Sequence, residues 1–159
     1  MQHLTILNTR EVREIKEQLE KQFGYAPEED YAYLKSENHD RIFIINKEAA
    51  KIDFAKLRID KMGLYFAEIK NNRVRLSKEG AQLLWMDVQK KKKILKNTIS
   101  LSKEEVEHYF KGNDLEKELG RDNCLILLQY QLDILGCAQY KDGRIINFLP
   151  KIHRGTVIV

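Results

Sequence analysis

Residues 124–145 read CLILLQYQLDILGCAQYKDGRI, and this stretch decides the fold. From Cys124 to Tyr130 apolar residues follow one another without the alternation of a half-exposed strand. The run is too short for a typical helix, so it reads as a strand buried on both faces. Ile134 to Tyr140 is a second strand. Asp142-Gly143 predicts a hairpin turn, because both residues tolerate positive φ. Arg144 to Leu149 returns from that turn, and Thr156 to Val159 closes the series. Working upstream, Thr98 to Leu101 is a further strand. Ser102 and Glu105 form a capping-box pattern for a helix that buries Val106, Tyr109 and Phe110 and stops at Gly112. Short strands around one helix predict a small mixed β-barrel over residues 97–159.

The first half carries its own pattern. Asn8 with Glu11 is another capping box, and Val12, Ile15, Leu19 and Phe23 form one apolar stripe that ends at Gly24. Tyr31 to Lys35 and Arg41 to Ile45 flank the polar loop 37–40 as a hairpin. Residues 47–53 predict a helical turn. Gly63 to Ile69 and Arg73 to Leu76 are strands joined by Asn71-Asn72, and Ser77 opens a helix carrying Ala81, Leu84 and Trp85. The lysine run 90–93 is the most polar stretch, so residues 86–96 are read as a basic linker between units at 1–85 and 97–159, open to trypsin. The fold class is α+β.

Apolar residues are 43% of the chain and recur along its length, which sets it apart from disordered chains. The net charge is +4. Residues 1–85 contain 15 Lys/Arg against 14 Asp/Glu, and residues 86–159 contain 13 against 10, so the basic excess gathers where a polyanion would be held. No signal pattern and no membrane-length apolar stretch occur, and a cytoplasmic protein is expected. Cys124 and Cys137 sit in apolar runs and read as small buried hydrophobes.

Motifs for catalysis are missing. The sequence has no P-loop, no GxGxxG and no HExxH. His3, His39, His108 and His153 show no metal-ligand spacing. A nucleophilic pair of Cys137 with His108 is disfavoured, since an apolar setting keeps a thiol protonated. No cofactor and no catalytic residue is expected. The basic residues offer binding chemistry instead. Arg73 and Arg75 alternate with Val74 and Leu76, so both leave one face of a strand. Lys141, Arg144, Lys151 and Arg154 stand against the single Asp142 in the last 19 residues, with Asn147 and His153 as further polar groups. Tyr140 and Phe148 interleave as rings on which a base can stack. The competing account of each cluster is a solvated surface.

Three segments carry a family resemblance. NTISLSKEEVEHYFKGNDL (97–115), LDILGCAQYKDGRI (132–145) and NFLPKIHR (147–154) resemble the PUA-like domain at the C-terminus of Sun-family RNA methyltransferases, which modify carbon 5 of cytosine in rRNA and tRNA. RIFIINKEAAKI (41–52) and MGLYFAEIKNNRVRLSKEGAQLL (62–84) resemble the segment before PUA in that family, and the pre-PUA domain of a small ribosome-assembly protein built from pre-PUA plus PUA alone. The resemblance implies a small α/β pre-PUA domain followed by a PUA-like mixed β-barrel. Those enzymes also need a glycine-rich S-adenosylmethionine loop and a Pro-Cys motif. Here neither Pro27 nor Pro150 precedes a cysteine, and the loop is absent. The expectation is therefore non-catalytic binding of structured RNA (rRNA or tRNA), in ribosome assembly or in guiding RNA modification. A separate RNA methyltransferase or ribosome-assembly proteins are the expected protein partners. RNA contacts are expected at Lys141, Arg144, Asn147, Lys151, His153, Arg154, Arg73 and Arg75. The alternative is a protein-interaction module or an accessory subunit of an RNA methyltransferase.

Overall fold

Leu125 and Leu127 leave one face of their strand, Ile126 and Leu128 leave the other, and all four are at most 6% exposed. The computed structural model, which describes residues 3–37, 39–51 and 62–155, shows what covers each face. In chain order the elements are β1 (Leu4–Ile6), α1 (Thr9–Phe23), β2 (Tyr31–Ser36), β3 (Arg41–Asn46), α2 (Lys47–Ala50), β4 (Leu64–Lys70), β5 (Arg73–Leu76) and α3 (Lys78–Lys90). They continue with β6 (Thr98–Ser100), α4 (Lys103–Phe110), β7 (Leu115–Glu116), β8 (Cys124–Tyr130), β9 (Asp133–Lys141), β10 (Arg144–Ile146) and a 3-10 turn at Lys151–His153. The first sheet is an antiparallel meander in the order β1-β2-β3-β4-β5. The second has the order β6-β8-β9-β10-β7, with β6 parallel to β8, and curls into a half-barrel. An α+β architecture with a PUA-like barrel is what is observed. The strand expected at 156–159, Asn38 of the first hairpin loop and residues 52–53 of the helical turn lie outside the described residues.

The local signals act as their chemistry requires. Asn8 accepts from the Glu11 amide at 3.0 Å while Glu11 accepts from the Asn8 amide at 2.8 Å. Ser102 and Glu105 repeat the exchange at the start of α4. Each box satisfies two orphan N–H donors. Asn71-Asn72 and Asp142-Gly143 all have positive φ, and they turn β4 into β5 and β9 into β10. β1 and β7 were not foreseen, because two or three residues paired at a sheet edge carry no periodic signal.

Leu125 and Leu127 join Phe23 of α1, Phe66 of β4 and Leu84 of α3 in one core, together with Ile134 and Cys137 of β9. Ile126 and Leu128 face the barrel interior with Val106 and Tyr109 of α4, Tyr140 and Ile145. β8 of the second sheet therefore lies between the two cores. Full burial of a Leu or Phe stabilises by roughly 1.5–3 kcal/mol, and the halves are held together chiefly where α3 packs along β9, with Leu125 and Leu127 of β8 in the same core. Polar ties add to it. The Trp85 indole donates to the Leu132 carbonyl at 3.0 Å, and Asn97 Nδ2 donates to the Gln22 carbonyl at 2.6 Å.

Residues 86–90 continue α3, and the rest of the segment expected as a linker is docked. Leu95 is buried in the shared core, and the Lys96 amide donates to the Phe23 carbonyl at 2.7 Å. Lys91 and Lys93 reach Glu28 at 2.6 and 2.9 Å. Their hydrogen bonds and charge hold the Glu28 carboxyl down at about 2.

Candidate nucleic-acid interface

The residues singled out from the sequence fall into three places. Lys141 and Arg144 face each other across the β9–β10 turn as register partners, both exposed. Asn123 fixes this turn, donating to the Asp142 carboxylate at 3.3 Å and accepting from the Asp142 amide at 2.9 Å. The tip is not purely cationic, because Arg144 also pairs in register with Glu116 of β7.

The second place is the junction of α4 with the C-terminal tail. Asn147 donates through Nδ2 to the Tyr109 carbonyl at 2.7 Å and the Asn113 carbonyl at 2.9 Å, and accepts from the Leu149 amide at 2.8 Å. Its side chain is the clasp between the end of α4 and the tail. Arg154 donates to the Leu149 carbonyl at 3.1 Å, and its stem lies over Gly112. A Cβ at Gly112 would come within 2.5 Å of Arg154 Cδ, which a flexible side chain can relieve, so it is the φ of +88° that calls for glycine there. Lys151 and His153 are exposed on the 3-10 turn.

Arg73 and Arg75 form the third place, on one face of β5 as the alternation required. Arg73 is exposed and lies beside Lys21, Asn97 and Asn123. Arg75 is half-buried, its guanidinium 3.6 Å from the centre of the Phe148 ring and 3.6 Å from Glu68. It links the first sheet to the tail of the second, a long-range contact with no local signal.

One expectation fails here. Tyr140 is 1% exposed and its hydroxyl donates to Glu118 at 2.7 Å, so its ring presents no face to a base. The residue alternates inward into the barrel because β9 pleats with period two. Cys137 is buried as read, and burial pushes its thiol up to about 12. At that value it is not a nucleophile near neutral pH, and His108 lies instead beside Asn113. Among the described residues no cluster of three or more His, Cys, Asp or Glu has the arrangement of a metal site, and no helix is long and apolar enough to cross a membrane.

With α4, the curled sheet and the clasped tail in place, the region can be compared with known domains. Residues 96–154 match the family model for the PUA domain of the methyltransferase RsmF. The second sheet with α4 is thus a PUA-like region, similar to the PUA domain of that methyltransferase. The match begins at the last residue before Asn97 and ends at Arg154, so it takes in the whole half-barrel and its tail and leaves out the first sheet. No curated protein matches the chain.

Sequence reasoning missed Arg41, Tyr65 and Lys78, which stand with Arg75, Phe148 and His153 around a cleft of about 480 Å³. Their convergence depends on strand register and on the docking of the tail, neither of which leaves a local signal.

Proposed function

We propose that the chain binds structured RNA, rRNA or tRNA, through its PUA-like region, and serves ribosome assembly or the guiding of RNA modification without catalysing a reaction itself. The observation that supports this best is the match of residues 96–154 to a PUA domain, a class that binds RNA. A-form RNA is recognised by shape, phosphate and 2′-hydroxyl contacts, so surface cations on a rigid scaffold suffice. Lys141, Arg144, Lys151 and Arg154 supply them from the tip and tail of the half-barrel, with His153 beside the tail cations. Asn147 contributes by holding the tail in position. In this reading residues 1–85 and 97–159 are two units, joined through 86–96 and buttressing each other. A cytoplasmic setting and a methyltransferase or ribosome-assembly partner belong to the same proposal.

Salt dependence tests it. Each lost phosphate contact lowers the slope of log affinity against log salt by roughly 0.7–0.9. Lys151→Gln with Arg154→Gln is expected to reduce the slope by close to two contacts, evenly across RNA sequences, because phosphate contacts carry no base information. Arg73→Gln is expected to matter less. A chain that binds no structured RNA at any salt, or a double variant with the parent's slope, overturns the assignment. Calorimetric titration is expected to show no binding of S-adenosylmethionine. A protein partner is the second reading, and the exposed Met86 and Leu132 beside Trp85 favour it.

A further inference from the structure

The outer face of β3, β4 and β5 carries a row of charges set by register. Arg41 pairs across to Glu68, and Glu68 pairs across to Arg75. Glu68 sits 3.8 Å from Arg41, 3.5 Å from Lys70 and 3.6 Å from Arg75. One carboxylate thus serves three cations, and two positive charges remain over. The two guanidiniums at the ends of the row also lie against rings. Arg41 is 5.4 Å from the centre of Tyr65, and Arg75 is 3.6 Å from the centre of Phe148. Phe148 belongs to the PUA-like region, so the row forms one wall of a cleft between the two sheets. Lys78 and His153 stand at the same cleft, with Glu79 as the acid among its described lining residues.

A guanidinium laid flat on an aromatic ring and tethered by a carboxylate has lost most of its rotamer freedom before any ligand arrives. Arg75 keeps 28% of its side chain exposed and lines the cleft. Unpaired RNA bases stack on arginine planes as they do on aromatic rings, and the adjoining phosphate needs cations within reach. The cleft, at about 480 Å³, lies within the roughly 300–1,000 Å³ of small-ligand sites.

We infer that this cleft receives one unpaired nucleotide of the bound RNA, its base stacked on Arg75 and its phosphate among Arg41, Lys78 and His153. The inference rests on the RNA-binding function proposed above and adds what that function leaves open, a preference for RNA with a single-stranded element next to a helix. It also gives the first half of the chain a share in recognition, because β3, β4, β5 and the start of α3 line one side of the cleft.

The test uses the full chain with two RNAs, a short blunt duplex and the same duplex bearing a single-stranded overhang. The parent is expected to favour the overhang by roughly 5- to 150-fold, the range that ~1–3 kcal/mol of stacking gives. Arg75→Lys keeps the charge and removes the plane. It is expected to abolish most of the preference while blunt-duplex affinity and salt slope hold. Circular dichroism and melting establish that the variant is folded. If it is not, Lys78→Gln with His153→Gln at the mouth of the cleft is expected to cut the preference without touching the Glu68 row. Parent-like preference in the folded variants sinks the inference. So does a parent that binds both RNAs equally with a steep salt slope, although RNA binding itself then stands. Binding of neither RNA brings down both. Saturable micromolar binding of adenosine monophosphate with no overhang preference assigns the cleft to free nucleotides and also overturns it.

Discussion

Replacing Asn147 by Ala separates a structural clasp from an RNA contact. The side chain makes three hydrogen bonds at 2.7, 2.9 and 2.8 Å, to the Tyr109 and Asn113 carbonyls and from the Leu149 amide. A net contribution of roughly 0.5–1.5 kcal/mol per bond sets a total between about 1.5 and 4.5 kcal/mol. The Asn113 bond is exposed, so water replaces much of it, whereas the other two are partly buried. The expected loss is therefore about 2–3 kcal/mol. For a chain of this size each kcal/mol moves Tm by roughly 2–4 °C, so the midpoint is expected to fall by about 4–12 °C. Urea titration of Asn147→Ala at constant m, with scanning calorimetry in parallel, measures it. Well below the melting range, RNA affinity is expected to stay within a few-fold of the parent, with an unchanged salt slope, because an amide neutralises no phosphate. A loss below about 0.5 kcal/mol combined with a tenfold drop in RNA affinity refutes the clasp and returns Asn147 to the contact surface.

Glu28 is held at about 2 by Lys91 and Lys93, well under its unfolded value. A depressed carboxyl stabilises above the unfolded value and loses that contribution as pH falls towards about 2, so its carboxyl resonance is expected to titrate last among the exposed glutamates in an NMR pH series. Glu28→Gln frees both lysines and is expected to steepen the salt slope of non-specific RNA binding, read by fluorescence anisotropy. Gly80→Ala, which in an open helix gains roughly 0.5–1 kcal/mol, is expected to destabilise here by at least ~1–3 kcal/mol, since the new Cβ would meet the Phe66 carbonyl oxygen at 2.1 Å. Denaturant melts of the two forms settle the sign. The two units are expected to unfold in one transition, because Leu125 and Leu127 sit in the same core as Phe23 and Phe66. Separate transitions by near- and far-ultraviolet circular dichroism, or trypsin cutting rapidly at Lys90–Lys93, contradict that coupling.

Elements with dense local signals are legible in the order of residues alone. Both capping boxes, the Asn71-Asn72 and Asp142-Gly143 turns, the apolar stripe of α1 and the doubly buried β8 are each written within a few consecutive residues. So are the α+β class and a small mixed barrel, from short strands gathered around one helix, while the PUA-like character of that barrel is implied by the resemblance of residues 97–154. Tertiary structure alone decided what those layers are and what the polar residues do. Asn147 also clasps the end of α4 to the tail, and the carbonyls it donates to lie 38 and 34 residues away. Lys91 and Lys93 looked like free cations and are bound to Glu28, more than 60 residues distant. The cleft arose where the register of three strands lined up Arg41, Glu68 and Arg75 and the docked tail laid Phe148 against the last of them. Hydrophobic period and capping act over one or two turns of chain and are legible in order. Register and docking are fixed by the packing of whole faces, and they bring together residues whose neighbours in sequence say nothing of the meeting.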